Sequence, residues 1–339
     1  MATFTAGDVG VDFDLLDIGP LIGGAPFGTT PTSSGLTVGG ISTSIFGVDF
    51  QFGAGGPPTA GTINRIVVNE GGARVYDIDG LHLAAATFRG WVIADDNASA
   101  ESGIFSGSDS MTGSAFDDRL RGFAGDDSMV GGAGSDDLDS GDGNDSVAGG
   151  VGNDTISDPT GVNYLRGEEG DDSIVGGVGF DDANGNMGND TISTGPGDDY
   201  CVGGKDSDLL FGDDGADFVY GNLGDDTCNG GAGNDIVRGG QGNDTLSGGD
   251  GADFVSGDRG DDTMIGGAGA DIFHSSSDAG IDRVLDFSLA EGDRVQLDPG
   301  TTYSVAQVGA DTIITMSAGQ VVLVGVSMSS LLSSSIFIA

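Results

Sequence analysis

The sequence predicts an all-β protein whose centre is a solenoid of short parallel strands. Residues 104–274 divide into nineteen consecutive nine-residue units without one insertion or deletion. In these units the fourth place is Gly seventeen times, the sixth place is Asp eighteen times, and the eighth place is always apolar. Three columns that stay in one register for this long indicate a coil that repeats with the sequence.

The first 103 residues have a different composition, richer in β-branched and aromatic side chains. They are predicted to form a small β-rich N-terminal domain with a short amphipathic helix at 83–94. Its predicted strands, the last two forming a hairpin, are 48–52, 63–68 and 74–78. The helix is expected to cover the open end of the solenoid, because terminal strands otherwise expose unpaired backbone groups. Residues 1–31 receive no assignment.

Beyond residue 274 the period stops, and residues 275–339 are predicted to form a C-terminal β cap. The predicted strands of this segment are 283–287, 294–297, 311–316 and 321–326. The fold class is therefore an all-β solenoid with one β-rich segment at each end.

Charge limits the classes of function. The chain has a formal net charge of −43 and contains one lysine, Lys205, so no basic patch is available for nucleic acid or anionic lipid. Residues 104–274 alone carry a balance of −30, and such a segment is expected to stay disordered until cations neutralise it. No apolar stretch has the length of a membrane span, and Met1 is not followed by a cleavable signal sequence.

The residue types of the turn are those of a calcium site. Glycines at the first, second and fourth places are expected to permit backbone angles closed to other residues and to leave carbonyl oxygens accessible. Ca²⁺ takes six to eight oxygen ligands, and the sixth-place Asp supplies a charged one. The eighth place points inward from a short strand, and two units form one coil. Each Asp should therefore lie above the Asp eighteen residues further on.

The unit G-G-x-G-x-D-x-U-x, as in Gly230 to Arg238, resembles the RTX (repeats-in-toxin) family of secreted proteins. The resemblance implies a right-handed parallel β-roll in which each Ca²⁺ is shared between the turn loops of successive coils. The implied carboxylate ligands are Asp109, Asp118, Asp127, Asp136, Asp145, Asp154, Asp172, Asp181, Asp190, Asp199, Asp208, Asp217, Asp226, Asp235, Asp244, Asp253, Asp262 and Asp271. The implied carbonyl ligands, at first and third places, include Gly212, Gly221, Gly230, Ala232, Gly239, Gln241, Gly248, Asp250 and Gly257.

Ions between the coils number at most about seventeen, and their charge nearly cancels that of the tract. Calcium is therefore expected to be a condition for folding. Asn163, which replaces Asp in the sixth place, and Asp206, which replaces Gly in the fourth, mark weaker sites. The resemblance also implies an extracellular protein exported by a type I secretion machinery through an uncleaved signal near Ser333 to Ala339.

Cys201 and Cys228 both occupy the inward eighth place, one and a half coils apart. That spacing puts them on opposite sheets at different heights, beyond the ~7 Å Cα separation that a disulfide tolerates. They are predicted to be two buried free thiols.

The outward seventh place gives two columns of different chemistry. One sheet shows mostly small polar residues, whereas the other ends in an assembly strip of large apolar residues: Tyr200, Phe218, Ile236, Phe254 and Ile272. The strip is either a cross-strand ladder that stabilises its own sheet or a contact surface for another segment or subunit. The sequence leaves both interpretations open.

No enzyme is expected. His82 and His274 lie in different segments, no H-E-x-x-H or G-x-S-x-G motif occurs, and His274 is interpreted as the exposed end of the last repeat. The favoured function is a structural protein that self-assembles into a surface layer, matrix or filament. The alternative is a monomeric calcium-dependent adhesin or ligand-binding module, including an ice-binding one.

Overall fold

The structure is a computed structural model of the 339-residue chain. The residues that it describes are 3–6, 33–38, 41–52, 58–70, 73–84, 106–276, 280–331 and 337–338. The chain forms two compact units, Met1–Pro159 and Thr160–Ala339. Each unit is described by itself. Among the described residues, no helix combines the length and the apolar character that crossing a membrane requires.

The first unit begins with antiparallel strands. They are β1 (Thr3–Ala6), β2 (Ser33–Val38), β3 (Ile41–Phe52), β4 (Pro58–Glu70) and β5 (Ala73–Ala84). They pair in the order β2-β3-β4-β5-β1, with bulges in the β3–β4 and β4–β5 ladders. The three predicted strands and the predicted hairpin are confirmed. β1 and β2 had no prediction. β1 is defined by pairing with distant residues of β5 and β6, whereas β2 forms a tight hairpin with β3 that sequence reasoning missed.

The predicted helix at 83–94 is wrong at its start. Leu83 and Ala84 belong to β5, where they pair with β4. The remaining residues of the predicted helix lie outside the described residues. A run of alanines has high helix propensity, but propensity is a weak constraint when a neighbouring strand offers backbone hydrogen bonds.

Six short strands of the first unit come from the repeats. They are β6 (Ser110–Thr112), β7 (Arg119–Arg121), β8 (Ser128–Ala133), β9 (Asp137–Asp139), β10 (Ser146–Val151) and β11 (Thr155–Ser157). β6, β8 and β10 pair in parallel, and β7, β9 and β11 do the same. β1 also pairs in parallel with β6, so the antiparallel strands continue the sheet of the repeats.

The second unit contains the remaining repeats. Its strands are β12 (Asn163–Glu169), β13 (Ser173–Val175), β14 (Asp181–Met187), β15 (Thr191–Ser193), β16 (Tyr200–Lys205), β17 (Leu209–Asp214), β18 (Phe218–Leu223), β19 (Thr227–Ala232), β20 (Ile236–Gln241), β21 (Thr245–Asp250), β22 (Phe254–Arg259), β23 (Thr263–Ala268) and β24 (Ile272–Ser275). Even-numbered strands pair in parallel in one sheet and odd-numbered strands in the other. Partners are eighteen residues apart, as in Val219, Val237 and Val255. The predicted all-β parallel solenoid is confirmed.

The inward eighth-place side chains form the core. All nineteen, from Met111 to Phe273, are at most 1% exposed. Their seventh- and ninth-place neighbours point outward, as the alternation of a strand requires. One apolar column per sheet therefore fills the space between the two sheets.

The two cysteines follow this pattern. Cys201 lies in β16 and Cys228 in β19, which belong to opposite sheets, and both are buried and free. Burial raises the pKa of each thiol above its usual range. The prediction of two unbridged, buried thiols is confirmed.

Parallel pairing continues after the last repeat. The strands are β25 (Ile281–Val284), β26 (Arg294–Leu297), β27 (Ser304–Val308), β28 (Asp311–Thr315), β29 (Gln320–Leu323) and β30 (Phe337–Ile338), with a short helix α1 (Met328–Leu331). β25 extends the sheet of β23 and accepts β29, while β26 extends the sheet of β24 and accepts β30. β27 and β28 form an antiparallel hairpin beside β29.

The strand predicted at 294–297 is confirmed in full, and those at 311–316 and 321–326 are confirmed except at their C-terminal ends. The strand predicted at 283–287 is confirmed only at residues 283–284, because β25 ends at Val284 and residues 285–286 form a bend. Phe287 is nonetheless buried, with its ring centroid 6.2 Å from that of Phe273. Phe287 is apolar because it packs against the core from a turn, and its apolar side chain therefore does not indicate a strand.

Replacing the core residue Leu210 by alanine should destabilise the calcium-loaded protein by about 2–5 kcal/mol, since the change leaves a cavity between the sheets. Its neighbour Leu209 is 36% exposed and provides a matched control. Leu209→Ala should change the free energy of unfolding by roughly 0.5 kcal/mol or less. Urea unfolding followed by circular dichroism measures both values, and equal effects would contradict the assignment of faces.

Candidate metal centre

The sixth-place aspartates form two ladders that run along the edges of the sheets. The backbone N–H of Asp217 donates to Asp235 Oδ1 at 2.9 Å, that of Asp235 to Asp253 Oδ1 at 2.9 Å, and that of Asp253 to Asp271 Oδ1 at 3.0 Å. In the other ladder, the N–H of Asp226 donates to the carboxylate eighteen residues on at 2.8 Å. Because one oxygen of each carboxylate binds the coil before it, the ladder is part of the fold.

The second carboxylate oxygen has no such donor. Within the part of the chain that the structure describes, Oδ2 is buried and accepts no hydrogen bond in Asp127, Asp136, Asp190, Asp199, Asp208, Asp217, Asp226, Asp235, Asp244, Asp253, Asp262 and Asp271. A buried carboxylate oxygen without a partner is costly unless a positive charge compensates it. The ladders therefore fit a cation.

At several of these carboxylates, a carbonyl oxygen of the next coil lies close by. A Cβ atom on Gly230 would lie 2.5 Å from Asp235 Oδ2 and 2.6 Å from the Gly248 carbonyl oxygen. A Cβ atom on Gly212 would lie 2.7 Å from Asp217 Oδ2 and 2.6 Å from the Gly230 carbonyl oxygen. Calcium–oxygen distances fall at about 2.3–2.6 Å. The first-place glycine thus keeps open a space into which one carboxylate and one carbonyl oxygen point.

This geometry corrects the expected role of the first-place glycine. The backbone of Gly212 and Gly230 does not have the positive φ that favours glycine. Positive φ occurs at the second and fourth places, for example 113° at Gly231 and 144° at Gly233. The second- and fourth-place glycines satisfy the backbone angle. The first-place glycine instead avoids a clash with the aspartate five residues further on.

The third-place carbonyls bind the coil before them. The N–H of Gly215 donates to the Ala232 carbonyl at 2.8 Å, and that of Gly233 to the Asp250 carbonyl at 2.7 Å. The Gln241 carbonyl accepts a bond of the same kind. A carbonyl oxygen has a second lone pair, so these contacts remain compatible with metal binding. The ligand role of the third place stays a prediction.

The two irregular units keep the geometry of the turn. Asn163 is fully buried in the ladder position, and its side-chain amide donates to Asp181 Oδ1 at 2.8 Å. Asp206 adopts the positive φ of 73° in place of a fourth-place glycine. Asn and Asp tolerate this region better than other side chains. Asn163 is therefore predicted to weaken metal binding because its side chain carries no charge. Asp206 is predicted to weaken it because a residue other than glycine is strained at this backbone angle.

Among the described residues, no group of three or more His, Cys, Asp or Glu side chains surrounds a common metal position. Each coil offers one sixth-place carboxylate per edge, so the other ligands must be backbone oxygens. Hard oxygen ligands of this kind suit Ca²⁺ rather than zinc or copper, which prefer nitrogen and sulfur.

Burial raises the pKa of the ladder carboxyls. Desolvation is the largest cause, and neighbouring ladder carboxylates add to it, while the backbone N–H donor opposes it. The pKa rises to about 8 in Asp208, to about 7 in Asp199, Asp217 and Asp244, and to about 6 in Asp253. Without a cation, the ladders therefore retain protons close to neutral pH.

The fifth place carries a further polar ladder that sequence reasoning missed. Asp225 Oδ1 accepts the N–H of Asn243 at 2.7 Å, and Asn243 Oδ1 accepts the N–H of Asp261 at 3.0 Å. Asn234 Oδ1 accepts the N–H of Ala252 in the same way at 2.8 Å. The signal was present in the recurrent Asn-Asp and Asp-Asp pairs at the fifth and sixth places.

Both aspartate ladders extend beyond the repeats. β23 pairs with β25 so that Thr263 faces Arg283, and this register sets Asp282 beside Asp262. In the other ladder, the N–H of Asp271 donates to Asp293 Oδ1 at 3.1 Å. The spacings are twenty and twenty-two residues instead of eighteen, so a search with a fixed period does not find them. The repeated tripeptide Asp-Arg-Val, at 282–284 and 293–295, was the available signal.

Comparison with known families agrees with this geometry. The family model described as RTX calcium-binding nonapeptide repeat (4 copies) matches just over half of the chain, at residues 105–138, 123–156, 160–183, 166–201, 176–210, 202–237, 238–273 and 247–281. The chain belongs to the RTX calcium-binding repeat family. RTX repeats bind Ca²⁺, and the buried aspartate ladders are consistent with the calcium sites of such a β-roll.

Two solved structures show a weaker likeness. The AlgE6R3 subunit of the Azotobacter vinelandii mannuronan C5-epimerase is 23% identical over 40% of this chain and 78% of that chain, with a TM-score of 0.24. The extracellular lipase LipA of Serratia marcescens is 19% identical over 50% of this chain and 38% of that chain, with a TM-score of 0.21. No curated protein sequence matches the chain. Family membership therefore rests on the repeats.

Without calcium, the RTX β-roll should lose stability as pH rises from about 4 to about 8. The ladder carboxyls ionise near 3.8 when exposed but at about 6 to about 8 when buried. A pKa raised in the folded state stabilises the fold below the unfolded value, and this contribution is lost as pH passes the folded value. Calcium replaces the protons and should reverse the trend.

Circular dichroism in chelator and in calcium, at about pH 5 and about pH 8, measures this dependence. The strand signal in chelator should be stronger at the lower pH, and calcium should restore it at the higher pH. An equally strong signal in chelator at both values would contradict the role of the ladders.

Proposed function

We propose that this RTX protein is a secreted structural component that folds on calcium outside the cell and self-associates into a surface layer, matrix or filament. The observation that carries the proposal is the assembly strip (Tyr200, Phe218, Ile236, Phe254 and Ile272) on the outer face of one sheet. These residues are direct cross-strand neighbours in β16, β18, β20, β22 and β24.

The strip is both a ladder and an exposed surface. The ring centroids of Tyr200 and Phe218 lie 5.5 Å apart, and Phe180 meets Tyr200 edge to face at 5.8 Å. These contacts support the sheet. Tyr200 nevertheless stays 49% exposed and Ile236 43% exposed. Internal packing therefore leaves apolar area available for a partner.

The charge of this face favours a second copy of the same chain as the partner. The ninth-place residues that flank the strip are Val202, Tyr220, Arg238, Ser256 and His274, so neither outward column of these strands is acidic. Through the rest of its surface, a chain with a net charge of −43 repels other copies of itself. A face whose two outward columns carry no acidic side chain is the surface on which two copies meet with the least repulsion.

Calcium supplies the compensation that the ladders require. Each ion is proposed to lie between successive coils, bound by sixth-place Oδ2 atoms and first-place carbonyls such as Gly248 O, with at most about seventeen ions in a right-handed roll. Extracellular calcium sites commonly have dissociation constants of ~10⁻⁴–10⁻³ M. Such sites stay empty in the cytosol, so the chain folds after export. RTX repeats are typical of type I secreted proteins, which supports an extracellular location.

The flanking segments are proposed to cap the roll. β1 pairs with β6 at one edge of the repeats, and β29 and β30 pair with β25 and β26 at the other. These strands occupy backbone groups that would otherwise be open to unwanted pairing. The C-terminal residues also carry the proposed type I secretion signal.

The proposed role is not enzymatic. The arrangement nearest to a catalytic one joins Ser256 Oγ to His274 Nδ1 at 3.0 Å and His274 Nε2 to Asp298 Oδ1 at 3.4 Å. Ser256 is fully buried and also donates to Asp258 Oδ1 at 2.8 Å, so no substrate reaches its hydroxyl. His274, predicted to be exposed, stacks on Phe254 with its side chain 17% exposed, and that prediction is wrong.

Replacing two strip residues in the Phe218→Ser/Phe254→Ser double variant should abolish calcium-dependent self-association. Leu209→Ser, an apolar-to-polar change on the other sheet, is the control. Sedimentation velocity in calcium and in chelator measures the assembly state, and circular dichroism verifies the fold. Wild-type chain that stays monomeric in calcium, or a double variant that assembles normally, would contradict the structural role.

A second candidate function is a monomeric ligand-binding module, and a pocket beside the strip favours it. This pocket, of about 280 Å³, is lined by Tyr220, Arg238, Gly240, Gln241, Asp258, Arg259 and Ser276. Arg238 lies over the Tyr220 ring at 5.6 Å and forms an ion pair with Asp258 at 2.7 Å. An aromatic ring beside several hydrogen-bonding groups suits a single sugar unit.

A glycan array probed with the calcium-loaded wild-type protein tests this alternative. Tyr220→Ala should abolish any binding that involves the pocket, because the change removes the aromatic surface. Tyr164→Ala, at an outward tyrosine that is 51% exposed, should leave binding unchanged. Absence of any bound glycan would decide against the ligand-binding module.

A further inference from the structure

Asparagine followed by glycine occurs at two places in the chain, Asn184-Gly185 and Asn229-Gly230. In both, the asparagine fills the ninth place of a unit and the glycine fills the first place of the next unit. Because glycine carries no side chain, its backbone nitrogen reaches the amide carbon of a preceding asparagine more easily than that of any other residue. Both dipeptides are therefore positions at which the backbone can react with a side chain.

This reaction removes the side-chain amide and can lengthen the backbone. The glycine nitrogen forms a bond with the asparagine Cγ, and the side-chain nitrogen leaves as ammonia, which gives a cyclic imide. Water then opens the imide at one of its two carbonyl carbons. Opening at one carbon gives aspartate in a normal backbone. Opening at the other gives isoaspartate, whose backbone runs through Cβ and Cγ and is one methylene longer.

The folded roll holds both dipeptides in extended strands. Asn184 lies in β14, which pairs with β12 and β16, and Asn229 lies in β19, which pairs with β17 and β21. Ring closure requires the asparagine ψ angle to turn far from the roughly +115° of a parallel strand. Since pairing on both sides must open before this rotation, folding protects both asparagines.

The side chain of Asn184 is already directed along the backbone towards the reacting nitrogen. Its Oδ1 accepts the N–H of Asn186 at 3.0 Å, which keeps the amide carbon beside the intervening Gly185. Asn184 and Asn229 are half-buried, whereas the glycines that follow them are buried. Water therefore reaches both asparagines, and the paired strand is what prevents ring closure.

A longer backbone at these places would displace the glycine that leaves room beside a ladder carboxylate. A Cβ atom on Gly185 would overlap the carboxylate of Asp190, and one on Gly230 would lie 2.5 Å from Asp235 Oδ2. A backbone position without space for one Cβ atom has no space for an additional methylene. Asp190 and Asp235 belong to different ladders, so the two reactions would damage both.

We propose that Asn184 and Asn229 are sites of spontaneous isoaspartate formation in the calcium-free chain, and that the modified chain no longer folds on calcium. The inference rests on the proposed function in one respect, because it takes the chain to be unfolded until it meets calcium. The two dipeptides then limit the time during which the chain stays able to fold. Calcium ends this period by holding the asparagine backbone in paired strands.

Ageing the whole chain at mildly alkaline pH in chelator, in calcium and in urea tests the proposal. Trypsin cleaves after Arg166, Lys205 and Arg238 and so separates the two asparagines. Mass spectrometry of the peptides measures the exchange of nitrogen for oxygen, and enzymatic methylation specific for isoaspartate identifies the longer backbone. Both positions should react at least about tenfold faster in chelator and in urea than in calcium, because strand pairing must open first.

Two matched variants separate the effect of the backbone from that of charge. Asn184→Asp/Asn229→Asp carries the charge of the product in a normal backbone and, when fresh, should fold on calcium. Asn184→Gln/Asn229→Gln lacks both reactive dipeptides and should regain its strand signal in circular dichroism after ageing in chelator and transfer to calcium. The aged wild type should lose this signal in proportion to its content of isoaspartate.

No modification of the two positions in urea would overturn the sites, and equal rates in urea and in calcium would overturn their protection. An aged glutamine variant that loses as much signal as the wild type would overturn the effect on folding, as would a fresh aspartate variant that fails to fold. A wild-type strand signal that is equal in chelator and in calcium would instead contradict folding on calcium. The urea samples would still decide the sites, so the two failures are distinguishable.

Discussion

The buried aspartate carboxylate is the group on which the RTX solenoid depends. One of its oxygens accepts a backbone N–H of the preceding coil, and the other lies buried without a hydrogen-bond donor beside the space that the first-place glycine leaves open. Such an arrangement is repulsive when the carboxylate is ionised and no cation is present. Each nine-residue unit buries only one apolar side chain, which is little compensation for ordering its backbone. Calcium therefore links charge neutralisation to folding.

The glycines of the repeat serve this site in two ways. Those at the second and fourth places supply backbone angles, whereas the first-place glycine leaves room for oxygen atoms. At two first places a buried hydroxyl residue stands instead. Ser140 Oγ donates to Asp158 Oδ2 at 2.6 Å, and Thr194 Oγ1 donates to the Gly212 carbonyl at 3.1 Å. At these two first places the substitute therefore brings in another oxygen atom.

Most of the candidate site could be predicted from the repeat, but the ends of the aspartate ladders beyond residue 274 could not. The eighteen aspartates fall into two ladders because two nine-residue units form one coil, a property of the sequence alone. Asp282 and Asp293 join the same ladders only because insertions of two and four residues bulge out of the coil without disturbing strand pairing. The sequence alone cannot fix the length of such a bulge, since loop length changes free energy slowly.

The sequence by itself determined the parallel solenoid, the inward column from Met111 to Phe273 and the unbridged state of Cys201 and Cys228. A period that repeats nineteen times leaves few alternative registers. Tertiary structure alone decided that β1 joins β6, that residues 83–84 are strand, and that His274 stacks on Phe254. These contacts connect residues that are distant in the chain or depend on side-chain packing. Local pattern does not encode them, because their stability comes from the partner rather than from the segment itself.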